Sequence, residues 1–149
     1  MDDSKRQLIL HGMFLFVLGL LTGFVEPQFT NPRMGLAAHL EGVMNGIFLI
    51  ALGAAWAEVR LPPRVKVAAY WGVLYGTYAN WAVTTLAAIL GTAALSPISA
   101  AGHRAQPCEE GVVTFGFISV GLVIVASSVL ILLGLRRSRV IMNSDRSAG

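Results

Sequence analysis

A histidine, a carboxylate and an asparagine stand within seven positions of one another, His39, Glu41 and Asn45, inside the otherwise apolar run LAAHLEGVMNGIFLIALGAAW (36–56). The run is long enough to cross a bilayer, which takes about 20 mostly apolar residues. Ionisable groups are costly there, so the default reading of such residues is functional. At about 100° per residue, Gly35, His39, Gly42, Gly46 and Gly53 share one side of the predicted helix. Glu41, Asn45 and Phe48 form a separate stripe, with the acid and amide spaced i, i+4 for a hydrogen bond. The glycine side has two readings. Small residues let membrane helices approach closely, with the histidine bonding across the contact. Alternatively, Gly42 and Gly46 leave room for a flat macrocycle whose iron the His39 imidazole would ligate.

The elements that must position these groups are four predicted membrane helices, at about 8–25, 36–56, 67–94 and 112–135. The 149-residue chain is 55% hydrophobic and 13% charged, with a mean hydropathy of +0.67. Those values describe one small membrane domain over 1–149. A net charge of +3 in a soluble protein would suggest nucleic acid, but the basic residues fall outside the apolar runs. Lys5 and Arg6 precede the first, Arg60, Arg64 and Lys66 separate the second and third, and Arg136, Arg137, Arg139 and Arg146 follow the fourth. By the positive-inside rule both termini are cytoplasmic and the partner is lipid, with no role for nucleic acid. The expected fold class is therefore an all-α integral membrane protein, a four-helix transmembrane bundle with both termini cytoplasmic. The first run has no small-residue cleavage site after Thr22, so an uncleaved helix is expected. Beyond Leu135 a disordered basic end is expected.

Other polar residues lie near these spans. His11, near the cytoplasmic end of the first, is either solvated or within reach of a cofactor carboxylate. Arg33 stands just outside the second, as an interfacial charge or an anchor for an anionic group. The third span has Trp71, Tyr75, Tyr78, Ala82 and Thr85 on one face and Gly76, Asn80 and Thr84 on another. Tyr75, Tyr78 and Asn80 lie too deep for an interfacial aromatic belt, so they must face other helices, a cofactor or a substrate. The loop 96–111 reads as a solvated outer cap, and its His103 has no partner ligand at helical spacing. Cys108 is the single cysteine, which excludes an intrachain disulfide and a CxxCH haem attachment.

The segments HGMFLFVLGLLTG, NPRMGLAAHLEGVMNG and YWGVLYGTYANW resemble the hydroxylaminobenzene mutases, and more distantly the styrene oxide isomerases. The shared elements are His11-Gly12, Ala38-His39 with Asn45-Gly46, and Tyr78-Ala79-Asn80. The resemblance implies a membrane isomerase acting on a small aromatic substrate. It further implies a homotrimer holding haem b non-covalently, with His39 as axial metal ligand and Asn45 near the open iron face. The isomerases carry a tyrosine shortly after the third element, whereas this chain reads Trp81-Ala82-Val83-Thr84. Tyr75, Tyr78 or Thr84 then remain to orient substrate. For a mutase, a metal would polarise the N–O oxygen, Glu41 or Asn45 would handle the proton, and aromatic faces would stabilise positive charge. The expected site comprises Asn45, Glu41, Tyr78 and Asn80 as catalytic groups. His39, Gly42, Gly46, His11 and Arg33 are the expected cofactor-binding groups.

Other classes fit less of the pattern. An epoxide-to-aldehyde isomerase differs from the mutase only in substrate. A small four-helix exporter would place its acid in the first span, where 8–25 has none. A b-type electron-transfer subunit usually fixes haem iron from both sides, and His39 has no second deep histidine in this chain.

Overall fold

The computed structural model describes the backbone over residues 2–147 and side chains over residues 3–136. Four helices in it are long and apolar enough to cross a membrane. They are α1 (Asp2–Val25), α2 (Pro32–Ala55), α3 (Pro63–Leu90) and α5 (Pro107–Ser147), with a short α4 (Pro97–Ala100) before the last. Among the described residues there is no strand. The 24 residues of α2 make a rod about 36 Å long, which exceeds the hydrocarbon core.

Local chemistry sets the boundaries. A 3₁₀ turn, Glu26–Gln28, follows α1 with Pro27 inside it. Asn31 then caps α2, its side chain accepting from Met34 N, and Pro32 occupies the first helical position, where a missing N–H costs nothing. The Asn31 amide also donates to the carbonyls of Ser99 and Ala100 at 3.0 and 3.1 Å, tying the segment between α3 and α5 to this cap. Pro63 opens α3, four residues earlier than hydropathy predicts. Gly91 closes it in the left-handed region at φ 68°, so that α3 ends at Leu90, four residues before the predicted end, because glycine tolerates that conformation at a helix C-terminus. The 96–111 segment is not wholly loop. It contains α4 and the first turn of α5, where the Glu110 carboxylate accepts backbone N–H bonds from Ala93, Ala94 and Ala105. Beyond Leu135, where a disordered end is expected, the helical backbone continues to Ser147. The side chains of Arg137, Arg139 and Arg146 lie outside the described residues.

The helices pack as a sequence of neighbours, α1 on α2, α2 on α3 and α3 on α5. The main apolar core joins Leu8 and Leu15 of α1, Leu49 and Leu52 of α2, Val73 and Leu74 of α3, and Ile131 of α5. A smaller one, near the start of α2 and the end of α3, holds Met34, Ala87, Ala88 and Val113. Large apolar side chains such as Phe24, Phe115 and Leu122 stand exposed, the arrangement that lipid requires and water does not favour.

Candidate active site on the two faces of α2

The glycine side of α2 is the seam with α1. A Cβ on Gly42 would lie 2.5 Å from Gly19 Cα, and one on Gly46 would lie 2.7 Å from the Gly12 carbonyl oxygen. Backbone fills the space on both sides, so the reading of Gly42 and Gly46 as a macrocycle bed is corrected to close helix packing. Trp81 of α3 covers this crossing. Its indole N–H donates to Thr22 Oγ1 at 3.0 Å, and the Thr22 hydroxyl donates onward to the Leu18 carbonyl.

His39 lies in the same seam, at the end near the α1–α2 turn. Its Nδ1 is 2.8 Å from the Gly19 carbonyl oxygen. A carbonyl only accepts, so Nδ1 carries a proton, and the tautomer this selects has its lone pair on Nε2. Gly23 makes room for the ring, since a Cβ there would meet His39 Nδ1 at 2.7 Å. Beside it is a cavity of about 350 Å³ lined by Leu20, Gly23, Phe24, Glu26, Leu36 and His39. Glu26 Oε2 is buried with no hydrogen-bond partner among the described residues. Nothing in the sequence singles out Glu26; only the fold of its 3₁₀ turn back over Gly35 brings its carboxyl to the His39 cavity.

The opposite stripe of α2 meets α3. Asn45 Nδ2 donates to Glu41 Oε2 at 3.3 Å and also reaches the Thr77 carbonyl at 3.3 Å. Asn80 Nδ2 donates to the same Glu41 oxygen. Thr84 donates to the Asn80 carbonyl at 2.8 Å, which keeps its hydroxyl on the helix. Two amides therefore converge on one carboxylate oxygen within the membrane-crossing part of the protein. Such a cluster satisfies the acid's need for partners in a medium without water.

The remaining expected site residues are elsewhere. Tyr78 turns to α1, where its hydroxyl donates to the His11 carbonyl at 3.1 Å and lies 3.1 Å from His11 Nδ1. With the phenol proton on the carbonyl, Nδ1–H is the donor to Tyr78 Oη. The His11–Tyr78 pair lines a different cavity, with Gln7, Phe14 and Trp71; His11 is therefore not beside His39. Arg33 is exposed in the first turn of α2 and does not line the His39 cavity. Tyr75 bonds Ser119 of α5 at 2.8 Å.

Residues 4–136 match the family model described as styrene oxide isomerase. The chain belongs to the styrene oxide isomerase family. Within that setting it is 44% identical to hydroxylaminobenzene mutase HabB of Ectopseudomonas oleovorans over 144 residues, covering 96% of this chain and 88% of the relative. Hydroxylaminobenzene mutase HabA of the same organism is also 44% identical, over 134 residues that cover 89% of this chain and 99% of HabA. No solved structure matches the chain. For a styrene oxide isomerase family member, the polar residues embedded in α2 and α3 are the natural place to seek chemistry.

Proposed function

We propose that this protein is a membrane isomerase converting hydroxylaminobenzene-type arylhydroxylamines to 2-aminophenols by moving the hydroxyl from nitrogen to the ring. The 44% identity to two named mutases over nearly the whole chain carries this reading. The reaction is an isomerisation. The N–O bond breaks, a C–O bond forms at the ortho carbon, and the proton lost from that carbon ends on nitrogen. It needs no nucleotide or electron donor. The proposed location is a bacterial cytoplasmic membrane with both termini inside, on the distribution of basic residues around the spans.

His39 is the residue suited to hold a haem b iron. Its Nδ1–H is committed to a backbone carbonyl, the arrangement that fixes a ligating histidine's tautomer and leaves Nε2 free for the metal. The adjoining cavity and the exposed Leu20, Phe24, Leu36 and Leu40 provide apolar surface for a macrocycle, in place of the occupied glycine seam. Bound there, a ferric haem would supply a Lewis acid for the N–O oxygen. Glu41 is suited to carry the proton from ring carbon to nitrogen through its carboxylate. The Asn45 and Asn80 amides fix the orientation of that carboxylate. Apolar walls keep water from capturing the cationic ring.

His39 and Glu41 are two residues apart, about 200° round the helix. The proposed active site is therefore assembled between copies of the chain, with trimeric assembly the arrangement implied by the resemblance.

The test is conversion of hydroxylaminobenzene to 2-aminophenol by the purified protein, with styrene oxide assayed in parallel. Aminophenol formation and a Soret band in the purified protein, lost in His39→Ala and restored by free imidazole, are expected. Aldehyde from styrene oxide without aminophenol from hydroxylaminobenzene would replace this reading with the epoxide isomerase. An unchanged spectrum in His39→Ala would overturn the ligand assignment.

A further inference from the structure

A second cavity lies at the opposite end of the membrane-crossing helices, where the start of α1 meets the link between α2 and α3. It encloses about 580 Å³, and its walls include Ser4, Gln7, Trp56, Arg60, Lys66 and Trp71. None of the described residues lining it carries a carboxylate. Lys66 is already held in place: Nζ donates to the Val59 carbonyl at 2.8 Å and the Trp56 carbonyl at 3.3 Å. It also sits 5.3 Å from the centre of the Trp56 ring. Those two bonds leave one ammonium hydrogen uncommitted. Gln7 accepts from the Tyr70 hydroxyl through Oε1 at 3.0 Å, so its NH₂ remains a donor. Arg60 adds an exposed guanidinium. The cavity thus gathers two cations and further donors, with no acid among its described lining residues.

From this lining we propose that the cavity binds one anionic phospholipid, its phosphate held by Lys66, Arg60 and Gln7 and its acyl chains lying along α3. Two like charges in one cleft repel, and a phosphate between them converts that repulsion into charge-assisted hydrogen bonds. Basic pockets between membrane helices recognise lipid headgroups in this way. The acyl part of the proposal rests on Val67, 57% exposed, and Trp71, 64% exposed. Both continue the cavity wall along the membrane-crossing part of α3, offering apolar contact that free phosphate could not use. A choline headgroup is disfavoured because the Trp56 ring already faces the Lys66 ammonium, and the lining offers no acid to pair a second cation. Lipid held there would staple α1 to the α2–α3 link, beside the Gln7–Tyr70 bond.

The experiment titrates delipidated, detergent-solubilised protein with phosphatidylglycerol, phosphatidylcholine or glycerol phosphate. Native mass spectrometry reads bound lipid and a thermal scan reads stabilisation. One tightly held phosphatidylglycerol per chain and a raised Tm are expected, with weaker binding of phosphatidylcholine. Arg60→Gln should bind phosphatidylglycerol about fivefold more weakly, the worth of one cation near an anionic lipid surface, and Arg60→Glu more weakly still. Arg104→Gln, in the outer loop, should bind as the parent does. The guanidinium of Arg60 is exposed, so these variants should fold; a thermal scan without lipid checks that. Equal binding of phosphatidylcholine, or full phosphatidylglycerol binding by Arg60→Glu, overturns the proposal. Equal stabilisation by glycerol phosphate overturns it in favour of a small-anion site.

Discussion

Glu41 accepts from two amides on different helices, and that arrangement separates a chemical role from a packing one. Each Asn donates an N–H to the carboxylate, so Glu41→Gln replaces an acceptor by an amide that must turn its oxygen toward those donors. The cluster can survive this change in shape, while the proton carrier is lost. We expect Glu41→Gln to lower kcat by about 10²-fold, within the range for a positioned general acid–base group, with substrate KM and thermal stability little changed. Asn80→Ala should lower kcat less and lower stability as well, because it removes one of the contacts between α2 and α3. Steady-state kinetics beside thermal unfolding distinguishes the two. Equal losses of stability with unchanged kcat would make Glu41 a structural acid. The Glu41–Asn45 spacing was legible from helical periodicity alone. The contribution of Asn80 was not, since its contact depends on the register between α2 and α3, which no local pattern encodes. Tyr78 shows the same limit. Its depth in the span implied a polar partner, but only packing identified that partner as His11.

For the helices, the ambiguity concerned the glycines. Four membrane-crossing segments follow from hydropathy and length. Their ends shift by a few residues where Pro63 and Gly91, rather than hydropathy, decide. A glycine face has the same periodicity whether it receives a ligand or a neighbouring backbone, so the sequence left both readings open for Gly42 and Gly46. The close approach of α1 resolves them as packing. This distinction has opposite signs at two positions in the chain. Gly42→Ala would press a methyl against the Gly19 backbone, with nothing flexible to yield, and should destabilise the protein by about 1–3 kcal/mol. A methyl added at Gly121 of α5 would meet nothing within 4 Å among the described residues. There Gly121→Ala should be neutral or stabilising by up to about 1 kcal/mol through helix propensity. Thermal unfolding in one detergent reads both. A Gly42→Ala protein as stable as Gly121→Ala would mean that α1 and α2 do not meet as closely as this seam requires.

At the scale of the whole molecule, a single protomer keeps its two sets of polar groups apart. His39 is on the α1 side of α2 with its cavity among Leu20, Phe24 and Glu26, whereas Glu41 and Asn45 are on the α3 side. Rotating a side chain cannot bring them together, because helix geometry places them about 200° apart. If catalysis needs both, then one copy must present its His39 face to the Glu41 face of the next. Repeating that head-to-tail contact gives a ring where the rotation between copies closes, as in the trimer the resemblance implies. This makes a prediction that neither single variant can test alone. His39→Ala and Glu41→Gln proteins, each nearly inactive, are coexpressed or mixed under conditions that exchange subunits. In a randomly mixed ring about a quarter of the contacts join an intact His39 to an intact Glu41, so activity should recover to about a quarter of the parent's. Were both residues to act within one protomer, every subunit in the mixture would still lack one of them. Activity would then stay at the level of the single variants, and the site would have to be sought inside the protomer.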